Sequence, residues 1–104
     1  MNLTTFPVAF IMLNYSVDQI ANKDNSPSLA EMTKTALAYL ENEQGFVLQV
    51  EAGKVDWAAH ANDIGGLLYD QLAMDEALGV ALDFAKDRND TLVIFTTDHG
   101  NASP

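Results

Sequence analysis

Gly45-Phe46-Val47-Leu48-Gln49-Val50-Glu51-Ala52-Gly53 and Thr91-Leu92-Val93-Ile94-Phe95-Thr96-Thr97-Asp98-His99-Gly100 decide the expected fold. Each is a short apolar run bounded by turn-forming residues, the pattern of a strand buried on both faces. Between them lies a long stretch with helical apolar spacing, placed at about residues 63–88. Ile64, Leu67, Leu68, Leu72, Leu78, Leu82 and Ala85 fall on one side of it, with Asp75 inside the stripe. Val80 and Phe84 lie nearly opposite, which implies that more than one face is covered. Strand, long helix, strand predicts a right-handed βαβ unit. The expected class is therefore α/β, a parallel sheet flanked by helices, with residues 46–51 and 92–97 as adjacent or near-adjacent strands.

Moving outward, Ser28-Leu29-Ala30-Glu31 has the form of a capping box, with Pro27 just ahead of it. It opens a helix whose stripe is Leu29, Met32, Ala36, Leu37 and Leu40 and which Gly45 closes. Residues 14–27 are polar and predict a loop. The run Phe6-Pro7-Val8-Ala9-Phe10-Ile11-Met12-Leu13 predicts a strand or core element. It lacks the basic start and small-residue cleavage site of a signal peptide. No stretch reaches the roughly 20 apolar residues of a membrane span.

At 104 residues the chain is expected to form one domain over 1–104. A 48% hydrophobic and 19% charged content is that of a folded protein. The net charge of -10, from 15 acids against 5 bases, argues against nucleic acid and against an anionic membrane as partners. An anionic substrate stays compatible with this charge if bound cations invert the local field. There is no cysteine, so disulfides and thiolate metal sites are excluded.

Five side chains could ligate a metal: Glu51, Asp56, His60, Asp98 and His99. Glu51 ends the first expected strand, and Asp98 and His99 end the second. In open parallel sheets ligands bind beyond the carboxyl ends of the strands, and both ends would share one edge. Asp56 and His60 are four apart and would share a face if that stretch is helical. Carboxylate plus imidazole without sulfur suits zinc, and a lone carboxylate suits magnesium. Taken singly each residue has an ordinary role. His60 could be a surface histidine, Glu51 a strand-end charge, and Asp98-His99-Gly100-Asn101 a turn. Asn62-Asp63 could cap the long helix. Asp70, Glu76, Asp83 and Asp87 fit a solvated face, and Trp57 fits packing. The joint spacing favours ligation for the five.

From Gly45 to Asn101 the wording and spacing of V-E-A-G-K-V-D-W-A-A-H-A-N-D, L-A-M-D-E-A-L-G-V-A-L-D-F-A-K and D-T-L-V-I-F-T-T-D-H-G resemble the metal-binding core of the alkaline phosphatases. Ser26-Pro27-Ser28-Leu29-Ala30-Glu31-Met32-Thr33 fits the same family, extending the likeness over roughly residues 15–101. The resemblance implies two zinc ions and one magnesium ion. Glu51 would bind magnesium, Asp56 and His60 one zinc, and Asp98 and His99 the other. It implies a phosphate monoester substrate, a phosphoserine route, a homodimeric full-length parent, and a periplasmic or secreted location.

The chain also departs from that pattern. It has no Asp-Ser pair, and its only arginine is Arg88. No nucleophile is identified, and a third zinc histidine is absent. The expectation is an internal piece of such an enzyme, which alone binds zinc weakly and does not turn over phosphate esters at an enzymatic rate. A metal-dependent phosphomutase relative, suggested by T-D-H-G-N, and a non-catalytic metal-binding remnant are the alternatives.

Overall fold

The computed structural model describes residues 16–23 and 25–101. The expected element at 6–13 lies outside the described residues. Among the described residues four helices follow one another: α1 (Ser16–Ala21), α2 (Leu29–Leu40), α3 (Gly53–His60) and α4 (Ile64–Ala85). The long helix α4 is the scaffold, and α1, α2 and α3 all pack against it.

The expected parallel sheet is not there. Among the described residues there is no strand, and both 46–51 and 92–97 lack regular structure. The α/β, βαβ expectation is therefore corrected to an arrangement of helices joined by irregular segments. The physical reason is that a strand takes its hydrogen bonds from a neighbouring strand, so apolar β-branched residues alone cannot make one. Many of the side chains expected in a sheet core face solvent instead, with Val47 95%, Leu92 82% and Ile94 76% exposed, while Phe46, Leu48 and Val93 are half-buried.

The helix starts follow from local chemistry. Glu31 N–H donates to Ser28 Oγ at 3.1 Å, and Ser28 N–H donates to Glu31 Oε2 at 2.8 Å, so the capping box at α2 is complete. Leu37 and Thr33 are the buried positions of α2, and Thr33 satisfies its hydroxyl by donating to Leu29 O at 2.7 Å. The helix stops at Leu40, short of Gly45. Asn42 builds the turn that follows by donating to Leu40 O and Gly45 O, and Gly45 sits at φ +86°, where glycine is favoured.

The connection from α3 to α4 is three residues long, Ala61 to Asp63. Asn62 has φ +53°; its N–H donates to Ala59 O, and Asp63 N–H donates to Ala58 O, both at 3.0 Å. This double bond pattern is a Schellman ending with Asn62 as the left-handed residue. Asp63 then caps α4 by accepting from Gly66 N–H at 2.9 Å. Asp63 thus caps the long helix as that reading of Asn62-Asp63 expected, while the ending of α3 at Asn62 was not foreseen.

Three expectations about side chains change. Residues 14–27 contain a helix, α1, whose first residue Ser16 donates from both N–H (3.1 Å) and Oγ (2.7 Å) to Asp70 Oδ1. Asp70 is 5% exposed and not on a solvated face, whereas Glu76, Asp83 and Asp87 are exposed as expected. The buried face of α4 is Gly66, Asp70 and Ala77, while Ile64, Leu68, Leu72 and Leu82 of the apolar stripe are exposed. Periodicity finds an apolar side, but here small residues permit close helix contact on a different one. Asp75, inside the expected stripe, is exposed, as are its stripe neighbours Leu72 and Leu82.

At the far end of α4, Arg88 ties the helices together. Its guanidinium pairs with the Glu41 carboxylate and lies 4.0 Å over the Phe84 ring, and its Nε donates to Phe84 O at 3.1 Å. Phe46 meets Phe84 edge-on with centroids 6.1 Å apart. This cluster holds the segment that leads to Glu51 against α4.

Candidate metal centre

Helix α3 brings Asp56 and His60 together. They are one turn apart, and Asp56 Oδ1 lies 3.5 Å from His60 Nε2. Burial of Ala58 and Ala59 seats the helix on α4 and leaves this pair on the open side.

The segment after residue 97 comes to the same place. His99 Nε2 lies 3.9 Å from Asp56 Oδ1 and 3.3 Å from Asp98 Oδ2. The turn that presents His99 is internally bonded: Thr97 Oγ1 donates to His99 O at 2.7 Å, and His99 N–H donates to Asp98 Oδ1 at 3.0 Å. His99 Nδ1 is 3.0 Å from Gly100 O. A carbonyl can only accept, so Nδ1 carries the hydrogen, and Nε2 of the neutral ring presents a lone pair. That nitrogen faces two carboxylate oxygens, so the turn and α3 together present one imidazole lone pair and two carboxylates to the same space.

Asn101 completes the contact. Its Nδ2 donates to Asp56 Oδ1 and, at 3.4 Å, to Asp56 O. The sequence reading treated Asn101 as part of a turn and missed this contact. The only signal was its place two residues beyond His99.

Glu51 stands apart from the four. No hydrogen bond or ion pair connects it to them among those resolved. Its Oε1 is 3.2 Å from where a Cβ on Gly53 would stand, so its carboxylate lies at the start of α3. An acid there is favoured by the helix dipole, and Ala52 offers no capping side chain of its own. The shared strand edge that was to gather all five residues does not exist, because neither strand forms. The four that meet do so through the α3 turn and the 97–101 turn. Nearby, Lys54 Nζ lies 3.5 Å over the Trp57 ring, a cation–π contact.

The donor set can be tested against a zinc ion. At metal–donor distances of about 2.0–2.2 Å, two ligands of a tetrahedron stand about 3.3–3.6 Å apart. The Asp56–His60 pair at 3.5 Å and the Asp98–His99 pair at 3.3 Å match that edge. The fit is pairwise: among the described residues no group of three or more His, Asp or Glu side chains is arranged to hold one ion. All four side chains are partly or largely open to water, so their mutual electrostatics are screened.

Comparison with known proteins gives a consistent answer. The family model described as alkaline phosphatase matches residues 11–103. The chain is 46% identical over 81 residues to an alkaline phosphatase of Escherichia coli (strain K12), covering 77% of this chain and 17% of the relative. It is 45% identical over 74 residues to alkaline phosphatase 3 of Bacillus subtilis (strain 168), covering 70% of this chain and 16% of the relative. To streptomycin-6-phosphate phosphatase of Streptomyces griseus it is 43% identical over 86 residues, covering 75% and 19%. The chain spans under a fifth of the length of these relatives.

Proposed function

The chain belongs to the alkaline phosphatase family, and from that premise we propose that it supplies the metal-ligating segment of a zinc- and magnesium-dependent phosphomonoester hydrolase. In this reading Asp56 with His60 holds one zinc ion, Asp98 with His99 holds a second, and Glu51 contributes to a magnesium site. When bound, the zinc ions would supply Lewis acidity toward a phosphate oxygen.

What this chain's own residues do follows from their chemistry. Asp56 draws the two histidines together through one oxygen. The Gly100 carbonyl fixes the ring of His99 so that Nε2 points at the carboxylates. A chain with net charge -10 would repel an anionic ester on its own, which supports a need for bound cations. The names of the relatives, all phosphatases among those given above, support hydrolysis over phosphoryl migration. The same proposal takes a phosphate monoester as substrate, a homodimer as the assembly, a single domain over 1–104, and a periplasmic or secreted location. No helix among the described residues is long and apolar enough to cross a membrane.

The observation that carries the reading is Asp56 Oδ1 facing both His60 and His99, at 3.5 and 3.9 Å. The test is zinc competition against a chromophoric chelator for the chain and for Asp56→Ala, with turnover of a chromogenic phosphate ester in the protein that carries this segment. Zinc uptake should fall at least about tenfold in the variant, and turnover should depend on zinc. Equal zinc affinity in the two would remove the basis for the proposal.

A further inference from the structure

We propose that Asn89 is an acceptor for N-linked glycosylation. The inference goes beyond the phosphatase reading and shares with it only the periplasmic or secreted location, where such transfer takes place.

Asn89-Asp90-Thr91 has the acceptor form, an asparagine two residues ahead of a hydroxyl residue with no proline between. Asp87 stands two residues before the asparagine. Bacterial transferases demand an acid at that place, where a basic side chain of the enzyme can pair with it. Asp87-Arg88-Asn89-Asp90-Thr91 therefore satisfies the stricter five-residue form as well as the three-residue one. The three-residue form also occurs at Asn2, Asn14 and Asn101. Met12 and His99, not acids, stand two residues ahead of Asn14 and Asn101. Asn2 and Asn14 lie outside the described residues. The Asn101 Nδ2, the atom that would carry the sugar, is engaged with Asp56.

Local structure favours Asn89. Helix α4 ends at Ala85, and every residue of the turn at 86–90 is exposed. A transferase needs its acceptor outside regular structure and open to approach, as surface turns are. Arg88, tied to Glu41 and Phe84, occupies a position where any residue but proline serves. Thr91 is half-buried, and its hydroxyl donates to Asp90 Oδ1 at 3.0 Å, a contact between neighbours that can open without disturbing a helix.

The place is compatible with the metal centre. Helix α3 meets α4 at Gly66, where a Cβ would be 3.5 Å from Ala58 Cβ. From Gly66 to its last residue α4 rises roughly 30 Å, so a glycan beyond that end leaves Asp56 and His60 uncovered. In the transfer, Asn89 Nδ2 attacks the anomeric carbon of a lipid-diphosphate-linked oligosaccharide. The C–N bond forms as the anomeric C–O bond breaks, the lipid diphosphate leaves, and one amide proton passes to a base.

The test is export of the full chain behind an added signal sequence, in bacteria that carry an oligosaccharyltransferase and its lipid-linked glycan. Mass spectrometry should show the gain of one glycan, mapped to Asn89. The gain should vanish in Asn89→Gln, Thr91→Ala and Asp87→Ala and persist in Thr91→Ser. All four variants should keep the helical circular dichroism of the parent, since the changes fall outside the helices. An unmodified exported chain, or a glycan mapped only to another asparagine, would overturn the proposal. Modification of Asn89 that survives Asp87→Ala would overturn the role of the acid. The readout is mass and export is supplied, so failure here is distinguishable from failure of zinc binding or turnover.

Discussion

A Cβ added to Gly66 would stand 2.6 Å from Asp63 Oδ2, and the other oxygen of that carboxylate accepts the Gly66 N–H at 2.9 Å. The cap that starts α4 therefore occupies the space a side chain at 66 would need. The same Cβ would be 3.5 Å from Ala58 Cβ on α3, so Gly66 lies where the site-bearing helix meets its scaffold.

Gly66→Ala should destabilise the chain modestly, by about 1 kcal/mol. Alanine gains up to about 1 kcal/mol in helix propensity. Displacing the cap costs about 0.5–2 kcal/mol, and the close contact adds to that. The decisive comparison is the same substitution in an Asp63→Ala background. With the carboxylate gone, Gly66→Ala should become neutral or stabilising. Chemical denaturation of the four proteins measures it, and additive effects would show that the cap and the glycine act separately.

Helices α2 and α4 were legible, unlike α1, because their signals are local. Ser28 and Glu31 three residues apart, Asn62-Asp63 before an apolar stretch, and the spacing of Asp56 and His60 all act within one or two turns. The missed parts depend on partners distant in sequence. Nothing around Asp70 reveals that Ser16 will donate to it twice, and nothing near Asn101 points to Asp56. The 46–51 and 92–97 segments have strand composition, but a sheet is a property of pairs of segments. The ligand spacings were visible, yet the argument for their convergence rested on a sheet edge, whereas the meeting of Asp56 with His99 comes through turns.

Asp70→Ala should release α1. Ser16 donates two bonds to Asp70 Oδ1, at 3.1 and 2.7 Å, and a bond to a charged group contributes about 1.5–3 kcal/mol. Oδ2 of the same carboxylate is buried with no partner among the described residues, which offsets part of that gain. Asp70→Asn keeps an acceptor for Ser16 and removes the buried charge, so it should cost less than Asp70→Ala. Hydrogen exchange at residues 18–21 reports α1 directly. Unchanged protection there in Asp70→Ala would mean that the Ser16 contact does not hold the helix.

Backbone amides of residues 47–50 and 92–95 should exchange quickly in this chain, while those of 68–82 within α4 should be protected. Protection requires a hydrogen-bonded, buried amide. The helix provides both, and the irregular segments provide no regular ladder. Slow exchange across both segments together would reveal a pairing that the fold described here lacks.

The two histidines should differ in what their loss costs. His60 Nε2 is 3.5 Å from Asp56 Oδ1 and lies on a helix that fixes its backbone independently of any ion. His99 Nε2 faces two carboxylates, Asp56 at 3.9 Å and Asp98 at 3.3 Å, and its ring is held by the Gly100 carbonyl with Nε2 free to ligate. Removing His99 therefore takes away the one nitrogen that approaches both Asp56 and Asp98. Removing His60 takes one donor from one pair. Zinc affinity should fall more in His99→Ala than in His60→Ala, by about tenfold or more, read by chelator competition at fixed pH. Both variants should keep the helical circular dichroism of the parent, since both rings are more than half exposed, at 68% for His60 and 54% for His99. An equal loss in the two would mean that His99 serves a single pair, and the bridge from the 97–101 turn to α3 would then carry no metal-binding role.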